Sequence, residues 1–269
     1  TLQQFIEIIA IKWIKRVVAE TDVHDLVIAG GTFMNVKLNK LILDLPEVNS
    51  LFIMPSCADE SLSIGSAYVG GRMLEKDINK IHPLKDLYLG PLYPLSELEN
   101  IINKFSFKGN VNVEKCDNIE QQVGELLAEG EIVATYFGRE EFGARALGNR
   151  SILSDPSKLD NITKLNKMIK NRDFWMPFAG MMTDDQAEVN LINPKKHFSP
   201  YMIIAFDSND SEDFKASVHP YDKSIRPQVI KRDGNKTLYD IIKKFENITD
   251  KKGGILNTSF NLHGYPIVS

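Results

Sequence analysis

The string "EEFGARALGNRSILSDPS", residues 140–157, sets Arg145 and Arg150 among glycines and small residues, with a serine and an Asp-Pro turn behind them. A guanidinium group never deprotonates, so a buried helix would not carry two of them. A solvated helix would instead alternate acids and bases three or four residues apart. Glycine-bracketed arginines fit a wall that binds an anion. More cations recur beside glycine, proline or aromatic residues: Lys170 and Arg172 in "LNKMIKNRDFWMPFAG", and Arg226 ahead of a proline in "SIRPQV". Guanidinium grips phosphate oxygens in pairs, and lysine adds a point charge. Lys170 and Arg172 also end a helical pattern, where the macrodipole favours basic groups, so their position alone fits either role. In "LNTSFN", strand alternation puts Asn257, Ser259 and Asn261 on one face, either a solvated side or the lining of a small-ligand pocket. Taken together, these elements point to an anion pocket.

Two earlier segments carry weaker chemistry. In "GGTFMN", Gly30 and Gly31 follow an apolar strand, which suits either a tight turn or close approach of a phosphate or ribose to the backbone. Asp59 in "CADESLSIG" reads as a helix N-cap. A metal would need further ligands, and none of the five histidines stands in HxxxH or HExxH spacing.

The elements that must position these residues fall into two groups. Up to about residue 76 the pattern is helix (2–19), strand ("DLVIAGG"), strand ("VNSLFIMPS") and a helix ("DESLSIGSAYVGGRMLE") whose small residues would admit a close backbone neighbour. That is the pattern of the end of an α/β domain. Prolines cluster in the stretch that follows and mark a boundary, dividing the chain into 1–78 and 79–269. The second unit is mixed α and β. It holds helices at "SELENIINKF", capped by Ser96, at "IEQQVGELLAEGE", at "KLDNITKLNKMIKNR" and at "TLYDIIKKFENIT", with strands at "IVATYFG", "YMIIAFD" and after "KKGG".

Composition narrows the classes. At 269 residues, 43% hydrophobic and 25% charged, the chain can bury a sizeable core without staples. A net charge of −4 supplies no global field toward nucleic acid or a membrane surface, so any anion site is local. Two cysteines outside CxxC or zinc spacing suit a reducing, cytoplasmic compartment. No apolar run reaches transmembrane length. The chain starts without Met, in mid-helix pattern, and stops straight after a strand-like segment, which reads as a piece of a longer protein.

The strings "LVIAGGTFMN", "MPSCADESLSIGSAY", "EFGARALGNRSIL", "LNKMIKNRDFWMPFA", "DKSIRPQ" and "ILNTSFNLHGYPIV", in this order, resemble the NodU/CmcH family of O-carbamoyltransferases. The resemblance implies a partial Kae1-like domain of the actin/Hsp70-type ATPase fold over 1–78, holding nucleotide and metal. It implies a YrdC-like domain over 79–269, where carbamoyl phosphate and ATP give carbamoyl adenylate and pyrophosphate. The carbamoyl group would then pass to a hydroxyl of a sugar or natural-product acceptor. On the same ground, Arg145, Lys170 and Arg226 are the expected catalytic cations, and Arg150, Arg172, Asn257 and Ser259 the expected substrate contacts. Gly30, Gly31 and Asn35 would meet nucleotide. Asp59 would ligate a divalent metal, with iron the expectation and two histidines as co-ligands, while Mg2+ accompanies ATP. Homo-oligomerisation stays open.

The departures are Met176 where the family often has arginine, Gly180 where proline is common, Tyr265 where glutamate is usual, and His219 displaced by one place from a family histidine. No segment matches the metal histidines, so the expectation is a fragment, or a second chain that supplies that half. Two rivals remain: a related carbamoyl-adenylate enzyme of tRNA threonylcarbamoylation or hydrogenase maturation, and a non-catalytic nucleotide- or anion-binding module.

Overall fold

A computed structural model describes residues 1–75, 77–170, 176–209 and 212–268. Helix α1 (Leu2–Thr21) is capped by Thr1, whose hydroxyl accepts from Gln4 N, and it buries Ala10, Ile14 and Val18. Strand β1 (Asp25–Ile28) leads through a short 3-10 turn into α2 (Val36–Leu43), and β2 (Ser50–Ile53) pairs with β1 in parallel. Helix α3 (Leu62–Leu74) buries none of its residues. The close backbone neighbour expected from its small residues is not among the described residues, since no atom lies within 4 Å of a Cβ built at Gly65, Gly70 or Gly71.

After α4 (Leu95–Lys104) and α5 (Ile119–Glu129) come β3 (Val133–Tyr136), β4 (Arg150–Ser154), α6 (Leu159–Leu165), β5 (Ala179–Thr183) and α7 (Asp184–Asn190). The chain then runs through β6 (Leu191–Ile192), β7 (Phe206–Ser208), β8 (Ser224–Ile225), β9 (Pro227–Ile230), α8 (Lys236–Thr249) and β10 (Ile255–Ser259). The main sheet has the order β3-β4-β10-β5-β9, with only β5 and β9 parallel, and β6-β7-β8 form a small antiparallel sheet. The observed architecture is thus mixed α/β, as the sequence pattern indicates.

Helix α8 shows why the main sheet is well covered. Its apolar residues Leu238, Ile241, Ile242 and Phe245 recur at helical spacing, Asn235 caps its start, and Asp250 ends it in the left-handed region. With Val123 and Leu127 of α5 they cover one face of the sheet, packing on Leu153, Met181 and Ile255. On the other face Leu165 of α6 packs with Ile152 and Leu256. A third cluster joins the first segment to the second: Ile14, Ile42, Leu51 and Ile53 share a core with Met182, Ile204, Phe206 and Val229.

Three local expectations are corrected. The strand expected over 201–207 forms only from Phe206, because Met202 adopts φ +55° and turns the backbone. Helix α4 is entered through Pro94, not Ser96, and has no side-chain cap. The helix expected after residue 158 is α-helical only to Leu165 and continues as a π-type turn over Asn166–Lys170.

Candidate anion-binding site

The loop between β3 and β4 is built around a buried carboxylate. Glu141 Oε1 accepts from the backbone N–H of Leu147 at 2.7 Å, Asn149 at 2.7 Å and Arg150 at 3.2 Å. Thr135 Oγ1 donates to Gly148 O at 2.8 Å, and Gly148 N donates to Ser151 Oγ at 2.9 Å. Gly148 sits at φ +110°, and a Cβ there would come within 2.1 Å of Leu238, so only glycine fits. Asn257 on β10 braces the same loop from below. Its Nδ2 donates to Ala146 O at 3.1 Å and to Gln228 Oε1 at 3.0 Å, while Gln228 donates to Leu147 O at 2.8 Å.

This frame presents Arg145. Its Nε is buried and has no hydrogen-bond partner among the described residues. Burial pulls its pKa below the ordinary guanidinium value, with the neighbouring Cys57 opposing. A desolvated cation without a protein partner is costly, and an anion would relieve the cost. Arg145 lines a cleft of about 500 Å³ with Arg226, Lys37, Met176, His219 and Asp222. The cleft therefore takes residues from both the first and the second segment.

Asp222 anchors its rim. Lys37 Nζ donates to Asp222 Oδ2 at 2.8 Å, and Ser224 Oγ donates to Oδ1 at 2.7 Å. His219 Nδ1 lies 3.1 Å from the same Oδ1. Burial alone would raise the Asp222 carboxyl, but the bonds from Lys37 and Ser224 outweigh it and hold it below the usual carboxylate range. A second opening, of about 410 Å³, is lined by Tyr88, Phe198, Tyr201 and Lys231, and no arginine borders it.

The other expected residues are placed as follows. Lys170, nearly buried, gives its ammonium to the Ser259 carbonyl and to Ser259 Oγ at 3.1 Å, Asn261 O at 2.9 Å and Asn261 Oδ1 at 2.7 Å. Ser259 is thus joined to Lys170, outside the set that borders the Arg145 cleft. Arg150 is fully buried and does not border the cleft. Its guanidinium donates to Phe137 O at 2.7 Å and Gly138 O at 3.3 Å and lies over the Tyr136 ring. Arg172 lies outside the described residues. Met176, at the position where an arginine was expected, lines the cleft.

In the first segment, Gly30 has φ +111°, and nothing lies within 4 Å of a Cβ at Gly30 or Gly31, so a ligand could approach that backbone. Asn35 caps α2 by accepting from Leu38 N at 3.1 Å, and its Nδ2 donates to Gln3 Oε1 at 2.8 Å. Asp59 is exposed and opens a 3-10 turn in which Ala58, not Asp59, holds the cap position. Among the described residues no three His, Cys, Asp or Glu side chains converge to hold a metal. The residues present therefore do not by themselves make a metal site around Asp59. Among the described residues no helix is long and apolar enough to cross a membrane.

Reading the sequence alone misses Glu141, Asp222, Lys37 and Gln228 as parts of this site. The Asp-x-Ser spacing of "YDKS", which favours a local side-chain turn, and the family-like string "DKSIRPQ" that Asp222 opens are the signals that could have singled it out.

Comparison with known proteins finds carbamoyltransferase family models and relatives. The family model described as Carbamoyltransferase C-terminus matches residues 124–269, and the one described as Carbamoyltransferase N-terminus matches residues 1–68. MJ1058 of Methanocaldococcus jannaschii is 33% identical over 100% of this chain and 44% of its own length. Nodulation protein NolO of Bradyrhizobium diazoefficiens is 29% identical over 100% of this chain and 49% of its own. The 3'-hydroxymethylcephem-O-carbamoyltransferase of Amycolatopsis lactamdurans is 27% identical over 89% of this chain and 43% of its own. The chain spans about half the length of the curated relatives it matches.

Proposed function

The chain belongs to the carbamoyltransferase family of the NodU/CmcH type, and from that premise we propose that it is part of an ATP-dependent O-carbamoyltransferase. In this reading 79–269 is a YrdC-like unit that forms carbamoyl adenylate from carbamoyl phosphate and ATP with release of pyrophosphate. The 1–78 segment is a portion of a Kae1-like unit, from which the carbamoyl group passes to a hydroxyl of a sugar or natural-product acceptor.

The observation that carries the reading is Arg145: a largely buried guanidinium whose Nε lacks a partner among the described residues, in a cleft shared with Arg226. Two polyanions react only where fixed cations offset their charge, and groups held in place before reaction cost no reorganisation. Arg145 and Arg226 would take the phosphoryl oxygens of carbamoyl phosphate. Lys170, with Ser259 and Asn261, forms a second polar cluster that would meet the adenylate. Asn257 holds the Arg145 loop in register, which makes it a positioning residue, and Arg150 supports the same loop from the core. The open backbone at Gly30 and Gly31 would admit a nucleotide. Mg2+ arriving with ATP would offset further phosphate charge. No step here passes through a metal at Asp59.

Met176 favours a second reading, a binding module without turnover, because it puts a thioether on the cleft wall where an arginine was expected. Pyrophosphate release by the full-length protein, given ATP and carbamoyl phosphate, separates the two. Release that requires both compounds supports the enzyme, whereas anion binding without release supports the module.

A further inference from the structure

An anion cleft gains nothing from a carboxylate of its own, yet Asp222 borders the cleft that holds Arg145 and Arg226. Its negative charge would repel any phosphate that enters. Two residues keep it ionised and fixed there: Lys37 on Oδ2, and Ser224 on Oδ1 through both its hydroxyl and its backbone N–H. Its side chain remains 25% exposed, which leaves a route for a ligand. A carboxylate offers about four acceptor positions, and among the described residues Oδ2 accepts from Lys37 alone. The cleft thus combines guanidinium donors with a carboxylate oxygen that has an acceptor position to spare.

Such a pairing suits a ligand with an anionic end and an N–H end. An acyl phosphate such as acetyl phosphate matches carbamoyl phosphate in size and charge but carries a methyl in place of the amide nitrogen. Resting on the carbamoyl-phosphate reading above, we infer that Asp222 accepts a hydrogen bond from the carbamoyl NH2 and thereby selects carbamoyl phosphate against acyl phosphates. The selection has two parts. The carbamoyl compound recovers the repulsion through a charge-assisted bond, and the methyl compound meets the repulsion uncompensated. Sites that reject a ligand for lacking a donor discriminate more sharply than sites that measure size.

The test is calorimetric titration of the protein with carbamoyl phosphate, acetyl phosphate and inorganic phosphate. Wild type should prefer carbamoyl over acetyl phosphate by about 10- to 100-fold, the range of one hydrogen bond to a charged group. In Asp222→Leu the ratio should fall to near one, with acetyl phosphate binding more tightly than in wild type because the repulsion is gone. Lys37→Met removes the same ion pair but keeps the carboxylate, so its ratio should stay at the wild-type level. A wild-type ratio near one overturns the inference even if the leucine variant does not fold. An equal loss of the ratio in Lys37→Met and Asp222→Leu also overturns it, because Asp222 would then act only through the ion pair. If none of the three compounds binds wild type, the carbamoyl-phosphate reading itself falls, and the inference with it.

Discussion

The guanidinium carbon of Arg150 lies 3.7 Å from the centre of the Tyr136 ring, and the two residues are register partners across β4 and β3. The stack and the bonds to the carbonyls of Phe137 and Gly138 make Arg150 a rivet for the loop that carries Arg145. Arg150→Met should lower unfolding free energy by about 2–4 kcal/mol, since it strands partly buried carbonyls and loses a cation–π contact. Arg150→Lys should fall between, because an ammonium cannot reproduce the planar fork. Urea unfolding measures both.

Arg145 should behave in the opposite way. Where the Nη atoms of Arg150 bond carbonyls, Arg145 Nε has no partner among the described residues, so Arg145→Ala removes no internal bond there and should change stability by no more than about 1 kcal/mol. Phosphate-end affinity should drop about 10- to 100-fold, as expected for losing a charge-assisted contact. Calorimetry with carbamoyl phosphate and a thermal melt, run on the same sample, check the two halves.

Lys170→Met should strand acceptors on Ser259 and Asn261 that the ammonium now serves. The expected cost is about 2–3 kcal/mol. Its signature is local: amide hydrogen exchange should quicken in the segment after β10 before it changes in α8. Uniform acceleration across both would show that the cluster does not hold that segment separately.

The Lys37–Asp222 pair gives a pH prediction with a definite sign. The Asp222 carboxyl is pushed upward by burial but held lower overall by Lys37 and Ser224. Its stabilisation is complete above the ordinary carboxylate value of about 4 and fades as pH falls toward the folded value. The hydrogen bond to Asp222 raises Lys37, so its share is complete below the ordinary lysine value of about 10.4 and fades as pH rises through the folded value. The difference in urea midpoint between wild type and Asp222→Asn should therefore be flat near neutrality and shrink at both extremes. A difference that persists unchanged at about pH 2, well below the ordinary carboxylate value, contradicts it.

Much of this was legible from residue type. The periodicity of α8 marked a covered sheet, because apolar spacing is a local signal, while of the two glycine-flanked arginines read as an anion wall only Arg145 borders the cleft. What the sequence could not separate was Arg145 from Arg150. Both sit in the same string, but β4 turns one inward onto carbonyls while the loop leaves the other on the cleft. Likewise Lys170 looked like helix-end charge or a ligand contact, and its ammonium closes on Ser259 and Asn261, 89 and 91 residues away. Lys37 and Asp222, separated by 185 positions, have meaning only as a pair. Glu141 was hidden because a carboxylate that accepts from its own loop has no spacing rule.

Finally, the outer side of the first segment bears on how the protein behaves in a test tube. Among the described residues Val27 and Phe52 stand exposed on a sheet of two parallel strands, and Phe5, Ile9 and Trp13 stand exposed along α1. Parallel strands have no hairpin to fix their register, and so small a sheet is weakly held in water. Such a surface is adhesive. For the 269-residue chain taken by itself, light scattering across a dilution series belongs ahead of any titration.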